Sequence, residues 1–452
     1  MKRLLFALAF TFVYSSASVY GQKLKSKPAL SVFDPTKRLR QLSDSALLDE
    51  VQRQTFRYFW DFAHPVSGMA RERSNEDGSY GHETTTVGGT GFGIMSVIVA
   101  VERKWIARDT AARFLLKMAK FLVKSPSYHG AFPHWMDGAT GKTIPFSRKD
   151  DGGDLVETSY LMQGLLCARQ YFNSNDPVER GLRQRISWLW GDIEWNWYTQ
   201  GQEVLYWHWS PNNGWAMNFP VRGFNECMIM YMLAASSPNE KFQVTSSVYH
   251  RGWAISDFFK NGKEFYGIKL PLGFDYGGPL FFSQYSFLGL DPRGLKDRYA
   301  DYWEQNRNHT LINRAYCLDN PKQFKGYGEN CWGLTASDDP NGYDAHSPTN
   351  DNGTISPTAA LSAFPYTPEY SMQALKHFYF DLGDKIWGEY GFTDAFNETK
   401  GWYSKNYLAI DQGPIIVMIE NYRSGLLWRL FMSCPEVKTG LKRFGLESPW
   451  LK

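Results

Sequence analysis

Cysteine is scarce in this chain: 452 residues carry only Cys167, Cys227, Cys317, Cys331 and Cys434. None forms a CxxC pair or a zinc spacing, which argues against a disulfide scaffold and a structural zinc site. Cys167, Cys227 and Cys434 sit in or beside apolar helical patterns and read as buried thiols. Cys317 and Cys331 flank a polar loop and are the one pair considered for a bridge. Net charge is equally scarce, +3 from 49 Lys+Arg against 46 Asp+Glu. That balance argues against nucleic acid and strongly anionic polymers as partners. Signatures of other enzyme classes are missing: there is no Gly-x-Ser-x-Gly elbow, no His-Glu-x-x-His and no phosphate-binding loop. No apolar run is long enough to span a bilayer, so no membrane partner is expected. Nothing in the pattern calls for a cofactor or a metal.

The first 21 residues do have an ordered pattern. Lys2 and Arg3 precede an apolar stretch from Leu4 to Val13, followed by Ser15, Ser16, Ala17, Ser18 and Gly21. Charged, apolar and small residues in that order predict a secretory signal, and a periplasmic or secreted protein. Loss of Lys2 and Arg3 lowers the formal charge from +3 to +1. The expected organisation is a signal peptide over 1–21, an extension over 22–40 and a single catalytic domain over 41–452. The protein is expected to act as a monomer.

Beyond residue 40 the chain alternates helical patterns with loops. Helices are predicted over about 44–63, 87–104, 109–124, 155–172, 177–193, 222–235, 246–260, 295–308, 354–364, 366–381, 408–420 and 421–433. Caps support the starts at Ser43, Asp109-Thr110, Asp176-Pro177 and Ser356-Pro357, and Gly262 suits a C-terminal cap. Several helices are apolar on most faces and must be covered all round. The most economical all-α fold is an (α/α)6 toroid, six inner helices inside six outer ones, with long rim loops. Strand signals are few; 203–209 and 268–276 suit rim hairpins. The glycine-rich run from Gly88 to Gly93 opens a helix without a preceding strand or a lysine, so it reads as close helix packing.

The densest chemical signal is acidic. Asp150, Asp151, Asp154 and Glu157 fall within eight residues, around Gly152-Gly153, which read as a flexible turn. Asp154 suits the N-cap of the following helix, and Glu157 shares its face three residues on. Such carboxylates repel unless a metal, a cation or proton-transfer chemistry uses them. A capping role alone is the plainer alternative. An EF-hand fits poorly, because Glu157 is the eighth residue from Asp150 and not the twelfth. A second acid, Glu226 in Arg222-Gly223-Phe224-Asn225-Glu226, enters a very apolar helix. Burial there should raise its pKa, as a general acid requires, unless it merely pairs with Arg222. A third group comprises Glu389, Asp394 and Asp411, the last at the start of an apolar helix that it could simply cap. Aromatic residues are abundant at 16%, and Trp195, Trp197, Trp207, Trp209 and Trp215 sit in loops where flat rings could face sugars.

Glycoside hydrolysis by inversion needs a protonated carboxyl and an ionised one with a water between them. The chain also resembles the bacterial β-1,2-glucanases of glycoside hydrolase family 144, often labelled glycoamylase-like. The resemblance rests on Thr55 to Trp60, Thr86 to Gly93, Asp150 to Tyr160, Arg222 to Glu226, Gly273 to Phe281, Tyr327-Gly328-Glu329 and Asp411-Gln412-Gly413-Pro414. It implies an (α/α)6 toroid, export to the periplasm and metal-independent, inverting hydrolysis of β-1,2-glucan to sophorose or longer products. It places the important acids on Asp150, Asp154, Glu157 and Glu226. Glu226 is the expected general acid and Asp154 the expected base, with Asp150, Glu157 and Asp411 orienting water or sugar hydroxyls. Trp207, Trp209, Trp215, Arg222, Tyr327 and Asp411 are the expected substrate contacts.

Rival readings are an α-glucan hydrolase, a non-catalytic glycan-binding protein and a polysaccharide lyase. A lyase would need basic residues around a uronate, against the acid-rich pattern here. Endo and exo cleavage both stay open.

Overall fold

A computed structural model of the chain describes Arg38, 41–74 and 81–452. The signal-like segment and most of the 22–40 extension lie outside the described residues. The fold is mostly helical, with a few very short antiparallel strand pairs.

Along the chain, half-exposed and wholly buried helices alternate. α1 (Asp44–Trp60), α3 (Arg108–Leu122) and α5 (Pro177–Gly191) each keep a polar face. α2 (Val87–Glu102), α4 (Leu155–Tyr171) and α6 (Met228–Ser236) are buried along almost their whole length. The alternation continues through α7 (Tyr302–Asp319), α8 (Pro357–Leu361) and α9 (Pro368–Lys376). A short α10 (Gly383–Ile386) precedes the apolar α11 (Ala409–Arg423). α2 packs on both α4 and α11, so the chain's first and last buried helices meet. α12 (Leu426–Met432) lies against α4, and α13 (Pro435–Arg443) against α6.

The α2–α4 contact depends on absent side chains, as the glycine-rich run predicted. A Cβ on Gly91 would lie 2.1 Å from the Tyr160 carbonyl oxygen, and one on Gly164 would lie 2.1 Å from that of Gly91. The helices therefore meet backbone to backbone, which fixes where α4 begins relative to α2.

Several local expectations are corrected. The 222–235 helix starts only at Met228, because Gly223 has φ +84° and the Asn225 side chain accepts from the Cys227 N–H. The 246–260 segment is only a π-turn over Val248–Trp253, pressed where a Cβ on Gly252 would lie 2.3 Å from the Glu203 carbonyl. Gly262 consequently caps no helix; it turns the chain at φ +72° ahead of the Glu264–Phe265 and Ile268–Lys269 hairpin. The 295–308 helix begins at Tyr302, where Asp301 accepts from the Trp303 and Glu304 N–H groups. Asp109 lies inside the first turn of α3, behind an Ala107 N-cap, and Asp411 lies inside α11 behind Leu408. Short 3-10 turns over Leu280–Ser283 and Tyr285–Leu288, and helix α13, were not anticipated. All five cysteines are buried and unbridged, so Cys317 and Cys331 form no disulfide. Among the described residues no helix is long and apolar enough to cross a membrane.

Gly164→Ala should destabilise the protein by about 1–3 kcal/mol through overpacking. A lowered urea midpoint checks this, and an unchanged midpoint would show that α2 and α4 can separate freely.

Candidate active site

The acidic segment begins as close packing and not as a flexible turn. A Cβ on Gly152 would lie 2.2 Å from the Trp209 carbonyl, and one on Gly153 would lie 2.1 Å from the Tyr198 hydroxyl. Gly153–Asp154 pairs antiparallel with His208–Trp209, setting Asp154 opposite His208. Asp154 then caps α4, accepting from the Glu157 N–H at 2.9 Å. Its other oxygen lies 2.9 Å from His134 Nδ1 and accepts from Trp207 Nε1 at 2.9 Å.

Glu157, one turn into α4, reaches across to α2, where its Oε2 accepts from the Gly88 N–H at 2.8 Å. Burial raises its pKa to about 7; Asp154 adds to the rise, while His134 and the Gly88 and Thr86 donors oppose it. Asp150 is also raised to about 7, first by burial and then by Asp154. It sits 3.2 Å from His208 Nε2, which accepts from the Gly152 N–H. Asp151 points elsewhere, bonded to Ser210 and Asn212.

His134 organises this cluster, although no local pattern around it marks the position. Burial disfavours its charge, but Glu157, the bonded Asp154 and Asp150 outweigh that and push its pKa up to about 9. Its ring stacks on Phe146 at 4.0 Å. One imidazolium therefore faces three carboxyl groups.

Glu226 precedes α6 and is buried. Desolvation raises its pKa to about 7, with a further contribution from Glu157. Its Oε2 has no hydrogen-bond partner among the described residues. Its carbonyl accepts from Ser286, so a 3-10 turn helps to place it. It pairs with no arginine: Arg222 donates instead to the Gly252 carbonyl at 3.1 Å.

A second acidic group lies nearby. Asp411 and Asp394 are both buried, and desolvation raises Asp411 to about 7. The Asp394 carboxyl is raised well above the ordinary range, by burial and then by Asp411 and Asp338. The two carboxylates repel when both are charged, so protonation of either relieves the repulsion between them. Asp394 also accepts from the Asp338 N–H at 2.6 Å, and Arg73 bonds both Asp338 and Glu72. Glu72, Arg73 and Asp338 had not been identified from the sequence. Glu389 stands apart, exposed and 3.9 Å from Arg57.

A cavity of about 550 Å³ is lined by His134, Glu157, Glu226, Glu72 and Arg73, with aromatic walls from Trp135, Phe146, Trp207, Phe281 and Tyr285, while Asp150, Asp394 and Asp411 lie outside its lining. Asp154 is fully buried and does not line it. Its oxygens are held by Glu157, His134 and Trp207. Of the expected substrate contacts, only Trp207 reaches this cavity. Trp209 stands edge-on to His129 at 5.2 Å, and Trp215 packs on Tyr206 and Tyr198. Tyr327 donates to Asp351 at 2.7 Å, away from the cavity, and Arg222 also lies outside its lining.

The glycoamylase family model, described as "Putative glucoamylase", matches residues 218–435. An endo-β-1,2-glucanase from Chitinophaga pinensis, solved with sophorotriose and glucose, is 57% identical. Its structure superposes with a TM-score of 0.88, over 91% of this chain and all of that one. The chain belongs to this β-1,2-glucanase family. A structure from Bacteroides uniformis described as a putative glucoamylase is 61% identical, with a TM-score of 0.90, covering 92% of this chain and 100% of that one. An exo β-1,2-glucooligosaccharide sophorohydrolase acting at the non-reducing end, from Parabacteroides distasonis, is 46% identical over 424 residues. That match covers 89% of this chain, which spans 58% of the length of that relative.

The raised Glu226 has a stability consequence. Between its ordinary value of 4.5 and about 7, the folded protein holds a proton that the unfolded chain has released. The group therefore favours folding at low pH, and this contribution is lost as pH rises through about 7. Glu226→Gln cannot ionise, so its Tm relative to wild type should rise from pH 5 to pH 8. Thermal melts at both pH values check this; a difference that falls with pH would contradict it.

Proposed function

We propose that this protein is a secreted β-1,2-glucanase that hydrolyses its substrate with inversion, releasing short oligosaccharides that include the disaccharide. The observation that carries the reading is the shared cavity, where Glu226, with a pKa near neutral, and Glu157 meet between aromatic walls. The named relatives supply the linkage. In this reading the 41–452 region is one domain, an (α/α)6 double ring. The alternation of buried and half-exposed helices, and the α2–α11 contact, support that arrangement. A secretory signal over 1–21 would place the activity outside the cytoplasm, with exported material beginning near Gln22 by mass spectrometry.

Glu226 acts as general acid. It is protonated through much of the range below neutrality, and buried apolar surroundings keep it so. The base is a carboxylate that reaches water in the cavity, and Glu157 is the one so placed beside the His134 imidazolium. Asp154 acts through His134 and Trp207 and is a positioning residue. Asp150 contributes negative charge that keeps His134 protonated, and Asp411 with Asp394 lies beside the Asp338 that bonds Arg73.

Glu226→Gln should reduce hydrolysis of β-1,2-glucan by roughly 10²–10⁴-fold, the usual contribution of a positioned acid. Glu157→Gln should be comparably impaired and partly rescued by azide, an anion that attacks the anomeric carbon without needing a base and leaves an α-glycosyl azide as product. Proton NMR of fresh product should show the α-anomer first, because inversion of a β-linkage requires it. Initial β-anomer would exclude inversion. Cleavage of starch with none of β-1,2-glucan would overturn the substrate, and binding without reducing ends would favour glycan capture.

A further inference from the structure

One conspicuous sequence motif, Gly273-Phe274-Asp275-Tyr276-Gly277-Gly278-Pro279, contributes nothing to the acidic cavity. The chain there passes through left-handed backbone at Gly273, Tyr276, Gly277 and Gly278, with φ of +92°, +61°, +95° and +79°. Tyr276 bears a side chain in that region, a conformation kept only where the surroundings impose it, often at functional sites. His309 helps to impose it: its Nε2 lies 3.0 Å from the Gly278 carbonyl oxygen, and a Cβ on Gly277 would meet its ring at 2.0 Å.

What this segment presents is Phe274, stacked on Phe258 at 4.9 Å with ring planes only 9° apart. Both rings are large and exposed, at 42% and 38%. Beside them Lys263 bonds Asp275 at 2.8 Å, and Asn261 donates to the same carboxylate at 3.1 Å. Together with Phe282 these residues line a second cavity of about 520 Å³. The two cavities are neighbours. Ala345 lines both, and the adjacent Phe281 and Phe282 line one each.

We propose that this second cavity is a distal subsite that holds a glucan segment extending from the acidic cavity. Aromatic surface with charged and amide groups at its edge suits a pyranose, whose apolar faces lie against rings while its hydroxyls bond polar groups. The continuity of the walls commits the occupant to the same polysaccharide chain that is cut next door. The inference rests on the glucanase reading above. Its consequence is dependence on substrate length: a chain long enough to reach Phe258 and Phe274 gains binding that a short one lacks.

The test is kcat/KM along a series of β-1,2-glucooligosaccharides and the polymer, for wild type, Phe258→Ala, Phe274→Ala and Lys263→Ala. Each ring removal should lower kcat/KM on the polymer by about tenfold, mainly through KM, and leave the shortest cleaved oligosaccharide unchanged. Lys263→Ala should act in the same direction, which guards against a mere folding defect in the phenylalanine variants. Equal losses at every length, or no loss on the polymer, would overturn the subsite. A wild type inactive along the whole series would instead overturn the glucanase reading itself.

Discussion

The bond between His134 and Asp154 is the contact on which the rest of the site depends. It joins the loop before the Trp135–Asp137 strand to the N-cap of α4, while Trp207 ties the same carboxylate to the loop before His208. Asp154 also accepts from the Glu157 N–H, so the cap that starts the helix simultaneously aims Glu157 toward α2. A half-buried imidazolium would be costly alone, and so would three clustered carboxylates. Each makes the other tolerable. Asp154→any apolar residue would therefore leave His134 and Trp207 without their common acceptor.

The glycine contacts serve the same geometry from below. Gly91 and Gly164 let α2 and α4 touch, which brings the Gly88 N–H within reach of Glu157. Gly152 and Gly153 admit the Trp209 and Tyr198 neighbours that press the acidic segment into place. Helix packing and electrostatics are thus one problem here: a shift of α4 along α2 would break the Glu157 contact and unbalance the charges around His134. Near Asp411, Arg73 between Glu72 and Asp338 performs the analogous neutralisation.

Much of this was legible in the sequence where the chemistry is local. Asp154 and Glu157 are three residues apart, and N-cap chemistry alone places them on one helix start. Glu226 announced itself by the apolar run that follows it. The long helices followed from apolar patterns and from caps such as Ser43 and Asp176, whereas Ser356 makes no side-chain cap and the helix after it spans only Pro357–Leu361. His134, Glu72 and Arg73, and the Asp338 that bonds Arg73, were not legible, because each lies on a short strand or loop with no periodic signal. The 246–260 helix failed for a related reason: its aromatic pattern is apolar enough, but Gly252 must sit against the Glu203 carbonyl. The loop tryptophans misled in part. Trp209 and Trp215 are mainly packing partners for each other's neighbours, and only Trp207 faces the cavity.

The central claim is that a single imidazolium holds the acidic cluster together. NMR titration of the ring nitrogens of His134 in the intact protein tests it most directly. The ring should stay doubly protonated through neutrality, with its midpoint raised to about 9. A ring already neutral at pH 7 would contradict it.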